Sequence, residues 1–299
     1  METNSADELC LIDPNPDVVG VGIRVSLYVL ALSYHIFSYV FNSAELSSAI
    51  ESSLGVTGLA LFLTAVITTA RQSLGLFHAL CVFHLLGIVG LSAQPRGRYP
   101  TGVVRKVVFM AFYVVVMAGS LAYLIYVFAT APAFGEQTEC NDKTVYVLFG
   151  VNIPATSAGL RWTLVAGLGI LLLGFAMWLL FVTCVAVDAL FGRKVPGDVF
   201  GAQDEHPGNP RKRQPPYQLL SYLAGTIYLA VMLELMIQRN ALAPGLEEWS
   251  FGQVLAMTML IGPLIELASL VLGRIDGVHD NQLVQVSGMP VQRRSFGRA

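Results

Sequence analysis

Residues 52–93 read SSLGVTGLALFLTAVITTARQSLGLFHALCVFHLLGIVGLSA, and their one charged side chain is Arg71. The stretch holds two apolar runs, 52–70 and 73–93. Each has about 20 residues, enough at about 1.5 Å per residue to cross a hydrocarbon core of about 30 Å. Only Arg71 and Gln72 separate the two, so the pair reads as a tight helical hairpin. Five more runs of this kind fall near 19–41, 107–129, 162–187, 219–238 and 251–272. The reading is an all-α polytopic membrane protein, a seven-helix transmembrane bundle occupying residues 1–273.

Composition agrees. The chain has 299 residues, 55% hydrophobic and 13% charged, against about 25% charged in a soluble domain. A chain this poor in charge has no means of covering itself with a polar surface. The net charge of −2 gives no sign of a nucleic-acid partner. The N-terminal METNSADELCLIDPNPD is acidic and lacks the basic region of a cleavable signal peptide, so the first span reads as a retained anchor.

Basic residues orient the bundle by the positive-inside rule. With the N-terminus outside or lumenal, thirteen fall on the cytosolic side: Arg96, Arg98, Arg105, Lys106, Arg193, Lys194, Arg211, Lys212, Arg213, Arg274, Arg293, Arg294 and Arg298. Four fall on the other side: Arg71, Lys143, Arg161 and Arg239. Residues 188–218, rich in proline, glycine and charge, read as a disordered cytosolic loop. Residues 274–299 read as a mobile C-terminal tail. The outer loop contains TVYVLFGVNI, β-branched and aromatic, and reads as a folded cap, a short hairpin or a re-entrant piece. Cys10 and Cys140 both fall on the outer side, where an oxidising compartment lets them pair; two unpaired thiols are the other reading. The membrane expected is the endoplasmic reticulum.

Ionisable residues inside spans carry the functional signal, because a charge at mid-membrane costs at least about 2.5–3.5 kcal/mol. They are Arg24, His35, His78, His84, Glu234 and Glu266. Depth sorts them. Asp17, Arg24, His78 and Glu234 fall in an outer polar layer, where Arg24 has either Glu234 or Asp17 as a partner. Glu266 lies about 22 Å along the seventh span from Phe251, level with His35, and about 15 Å in height from Glu234. The two glutamates are therefore not a proton-sharing dyad. Pro263 removes a backbone donor and frees the carbonyl of Met259, which kinks the helix just before Glu266. A carboxyl in apolar surroundings without a cation stays protonated and suits acid catalysis on a greasy substrate, or proton-coupled transport. The alternative for each is an interhelical bond that only holds the bundle together.

Several classes lack their residues. No lysine in the seventh span excludes a retinal Schiff base. The motifs of rhodopsin-like receptors are absent, as is the aspartate-rich set that holds magnesium and diphosphate. No metal-ligand cluster stands out, so no metal is expected.

Three stretches, NPDVVGVGIR before the first span, CNDKTVYVLFGVNIPATSAGLRW before the fifth and GQVLAMTMLIGPLIEL in the seventh, together resemble fungal membrane-bound terpene cyclases of the ascochlorin and ascofuranone (meroterpenoid) type. The resemblance implies acid-catalysed cyclisation of an epoxidised prenyl chain, a protonation-initiated isomerase or lyase chemistry on a lipophilic prenylated substrate, with no cofactor. On this reading Glu266 is the first candidate acid and Glu234 the second, with Asp17 and Arg24 beside them. Asn152, His78 and His35 are the candidate substrate-binding residues. A proton-coupled transporter and a non-enzymatic multi-pass protein are the alternatives.

Overall fold

The computed structural model describes residues 10–41, 43–92, 103–190, 215–245 and 248–273. Most of the loop read as disordered, at 191–214, and the tail 274–299 lie outside the described residues. Many of the basic residues on which the expected orientation rests lie there too.

The order is a short turn α1 (Pro16–Val19), then α2 (Val21–Val40), α3 (Ala44–Ala70), α4 (Leu76–Ser92) and α5 (Val103–Thr130). Two 3-10 turns (Ala131–Ala133 and Thr138–Lys143) and a hairpin of β1 (Val145–Leu148) and β2 (Val151–Pro154) follow. Then come α6 (Ala158–Leu190), α7 (Pro216–Arg239), α8 (Phe251–Thr258) and a continuation, α9, over residues 261–273. Among the described residues, six helices are long and apolar enough to cross a membrane, counting α8 and α9 as one, Phe251–Gly273. The chain is a multi-pass integral membrane protein.

The apolar helix α4 has 17 residues, about 25 Å, short of a full hydrocarbon core. It has no need to match lipid, because it is buried nearly all round, with Leu76, Phe77, Leu80, Cys81, His84, Leu85 and Ile88 all interior. It sits among α2, α3, α5 and α7. This is the expected place for a helix that is hydrophobic on every face. Helix α6 is the opposite case. It packs mainly on α5, and Ile170, Leu171, Leu173 and Met177 stand exposed, which is a lipid-facing surface.

Local sequence explains the joints. Helix α3 starts at Ala44, eight residues before the apolar run at 52, because Ser43 caps it by accepting from the Leu46 N–H at 3.3 Å. Glu45 and Glu51 in its first turns hide this start from a hydropathy reading. Its end is a Schellman turn: Gln72 has φ 56°, Gln72 N–H donates to Thr69 O at 2.9 Å and Ser73 N–H to Thr68 O at 3.0 Å. The tight link expected from Arg71 and Gln72 is thus five residues, 71–75. Gly135, at φ 74°, passes so close to Leu74 that a Cβ there would lie 2.0 Å from the Leu74 carbonyl oxygen.

The chain is not purely α. β1 and β2 pair antiparallel around Phe149 and Gly150, whose φ values of 49° and 79° match the type I′ turn that strand twist favours. The hairpin reaches down into the bundle. Asn240, at the end of α7, donates to and accepts from Val145, both at 2.8 Å. The tip sets Phe149 against Tyr228, ring centres 5.2 Å apart and tilted by 40°, eleven residues or about 16 Å back along α7. Tyr146 is buried against His84 and Phe128. Burial, and then the Tyr228 phenol, push the Tyr146 phenol up, which keeps it neutral.

Residues 10–20 form a strap over the same end of the bundle. Cys10 and Cys140 are joined as a disulfide, Cα atoms 5.6 Å apart. Ile12 donates to Ala241 O and accepts from Ala243 N–H, both at 2.9 Å. Asp13 and Gln137 exchange two hydrogen bonds.

Candidate functional site

The strap decides where the first polar residues go. Pro16 starts α1, and Gly20 ends it with its N–H on Pro16 O. Gly20 and Gly22 leave room for α8: a Cβ on Gly20 would lie 2.3 Å from Gln253 Nε2, and one on Gly22 2.9 Å from Gln253 Cβ. The Gln253 side chain fills that space. Its Oε1 accepts from Gly22 N–H at 2.9 Å and its Nε2 donates to Glu248 O at 2.7 Å. A lone glutamine in an apolar run was the signal available in the sequence for this contact.

Arg24 is then one turn along α2 and faces α7. It is 8% exposed. Its Nε donates to Val19 O at 2.9 Å. Its Nη1 donates to both carboxylate oxygens of Glu234, forming an ion pair. Tyr28, one turn further, donates its hydroxyl to Glu234 Oε1 at 2.8 Å. Of the two partners open to Arg24, the structure selects Glu234. The sequence gives no sign that Tyr28 partners Glu234, because tyrosine is common in apolar helices.

Glu234, the second candidate acid, is thus held in an ion pair, its oxygens accepting from a guanidinium and a phenol. The outer layer of four residues also separates. Asp17 Oδ1 accepts from Gly252 N–H at 3.3 Å, at the start of α8, where a carboxylate meets unpaired helix donors. His78 Nε2 accepts from Asn15 N–H at 3.1 Å, which fixes Nδ1 as the protonated nitrogen. Asp17 and His78 thus hold the strap and do not touch the Arg24 pair.

The remaining candidates have structural partners as well. Asn152 Oδ1 accepts from Arg239, which also donates to Gly150 O at 2.6 Å, so it helps pin the hairpin tip. His35 is buried, with Nε2 at 3.2 Å from Ser92 Oγ and 3.3 Å from Thr226 Oγ1. Tyr222 stacks on its ring at 5.8 Å. This polar knot joins α2, α4 and α7. His84 places Nδ1 at 3.0 Å from Leu80 O.

Glu266 differs from all of these. It lies on α9, half-buried, and makes no hydrogen bond or ion pair with any described residue. The helix before it is interrupted: α8 ends at Thr258, residues 259–260 form a turn, and the helix resumes at 261. Pro263, buried four residues past Met259, has no N–H for the Met259 carbonyl, and its ring crowds that carbonyl. The break falls where the sequence places it. No described group of three or more histidine, cysteine, aspartate or glutamate side chains is arranged to hold a metal ion.

No family model, no curated protein and no solved structure matches this chain.

Proposed function

We propose that this protein is a membrane-bound, metal-independent cyclase that acts on an epoxidised prenyl chain, with Glu266 as the proton donor. One observation carries the reading: a half-buried carboxyl without a described partner, on a membrane-length apolar helix, four residues or about one turn beyond the break at 259–260. Every other acid considered as a candidate has a donor of its own. A carboxyl so placed, when protonated, can give its proton to an epoxide oxygen. Opening of the C–O bond leaves a carbocation, which a chain alkene captures as a new C–C bond forms. Loss of a proton from the product cation closes the balance. No oxidant or reductant enters.

The same reading takes α4 as a seventh span. The strap, the hairpin and the disulfide then lie on the lumenal side, and the C-terminus lies in the cytosol. A disulfide between residues 10 and 140 supports this, since such bonds persist in oxidising compartments. The endoplasmic reticulum fits a lipophilic substrate.

The first test is direct. Microsomes containing the protein, fed an epoxidised farnesyl-phenol, are expected to yield a cyclised isomer of unchanged mass. Microsomes with the protein that return only starting material, across a panel of epoxidised prenyl-phenols, remove the reading.

The break at 259–260 also favours a second reading, proton-coupled transport. Interrupted helices beside a carboxyl are a feature of transporters. Substrate-dependent proton uptake by sealed vesicles, with no new product, selects it.

A further inference from the structure

The tip of the β1–β2 hairpin uses a residue that a turn in water avoids. Phe149 and Gly150 both take left-handed backbone, at φ 49° and 79°. Turns of this type favour Asn-Gly, Asp-Gly or Gly-Gly, because a bulky side chain at positive φ is strained. Phe149 carries that strain and is also 79% exposed. In water both features count against it. Val151, two residues on, is 61% exposed. No charged side chain falls between Lys143 and Arg161. Tyr146 and Val147 of β1 are buried, whereas Val151 and Asn152 of β2 face outward.

Contacts with α7 set the depth of this tip. β1 packs on α7, starting from Val145 beside Asn240 at the end of the helix. Tyr228 reaches the tip from one side, its hydroxyl accepting from Phe149 N–H at 3.4 Å. Arg239 reaches it from the other, donating to Gly150 O at 2.6 Å and to Asn152 Oδ1. The tip therefore lies between the levels of Tyr228 and Arg239, about 16 Å apart. Helix α7 has 24 residues, about 36 Å, only about 6 Å more than a hydrocarbon core of about 30 Å. A point between those levels is within the apolar layer or at its edge. Backbone groups in lipid need partners from the protein, and Tyr228 and Arg239 supply two for the turn. Ile227 and Val231, on either side of Tyr228 in sequence, are exposed and give α7 a lipid-facing surface at this depth. Exposed aromatics mark the same end of the bundle, Trp162 near the start of α6 and Trp249 and Phe251 at the start of α8. Such residues concentrate at membrane interfaces.

We propose that the Phe149–Gly150 tip is inserted in the bilayer, with Phe149 and Val151 among the acyl chains of the leaflet at the strap end of the bundle. The cap is then a membrane anchor and not a domain standing in water. Its partner is the hydrocarbon of the leaflet, whatever the headgroup. Burial of the phenyl ring in lipid offsets the strain of its backbone. The proposal stands apart from the cyclase reading and does not use Glu266.

The test uses the full chain in phosphatidylcholine liposomes, with Cys184→Ser removing the exposed thiol and buried Cys81 left in place. A nitroxide on Val151→Cys leaves Phe149 in the turn. Its relaxation is read with oxygen, which concentrates among acyl chains, and with a neutral nickel chelate, which stays in water. The oxygen-to-nickel accessibility ratio is expected to be at least about threefold higher at 151 than at Glu136→Cys, an exposed position in the cap before β1. Phe149→Cys serves the same purpose where Val151→Cys loses the Cys10–Cys140 bond or its single elution peak. Nickel access at the tip equal to that at 136 puts the tip in water and overturns the proposal. Exclusion of both reagents from the tip means that a second copy of the chain covers it, and overturns the proposal as well.

Discussion

At the residue scale, an ion pair in apolar surroundings is strong only while both partners are present. Removing one strands the other, and breaking such a pair typically costs about 3–5 kcal/mol; the open side of Glu234 puts the expectation at the lower end. Arg24→Met is expected to lower the unfolding midpoint in detergent sharply. The double variant Arg24→Met with Glu234→Met is expected to recover more than half of that loss. Equal midpoints for the single and double variants would show that the pair is not coupled. Gly135 is a second residue-scale case. Alanine there takes a left-handed backbone, costing about 1–2 kcal/mol, and also drives a methyl into the Leu74 carbonyl. Gly135→Ala is expected to destabilise by more than about 2 kcal/mol, read from the same unfolding curve; Gly167→Ala, with open space around it, is the control. Depth along a helix was legible from sequence, and it placed Arg24 and Glu234 in one layer. Direction around the helix is not legible, so the layer also takes in Asp17 of the strap and His78 of α4, whose partners lie elsewhere.

At the element scale, hydropathy located the long helices well because a span of about 20 apolar residues has few other readings. The start of α3 was missed because two glutamates follow its serine cap, and charge near a helix entry looks like loop. The hairpin was legible as β-branched and aromatic sequence. Its insertion beside α7 was not, because that depends on Asn240 and Arg239, nearly a hundred residues away. The α8–α9 break was legible because proline acts on a fixed neighbour four residues back. Pro263→Ala restores the donor to Met259 O and removes the ring clash, an effect of about 3 kcal/mol in a helix interior. It is expected to raise the unfolding midpoint and to lower cyclisation, since a continuous helix turns Glu266 to a new direction. A variant more stable and equally active would separate the break from function.

At the scale of the whole molecule, the strap and the disulfide tie the first helix to the cap before α6 and to the link after α7. The disulfide closes 130 residues, and loops of this size gain about 4–5 kcal/mol in the chain-entropy picture, less where the unfolded chain stays in the membrane. Cys10→Ser and Cys140→Ser are each expected to lower the midpoint by a similar amount, and the double variant by no more than either alone. Additive losses would mean that the cysteines act separately. The bundle was legible because a lipid solvent imposes length and composition on every span. The chemistry was less legible, because a carboxyl in a membrane helix can be paired or unpaired, and only the packing distinguishes Glu234 from Glu266. The most direct measurement compares Glu266→Gln with the natural protein in microsomes fed an epoxidised farnesyl-phenol, with insertion checked by the Cys10–Cys140 bond. Loss of the acid is expected to cut cyclised product at least about a hundredfold while the disulfide and the elution profile stay intact. Product formed at the natural rate by Glu266→Gln would contradict the central claim.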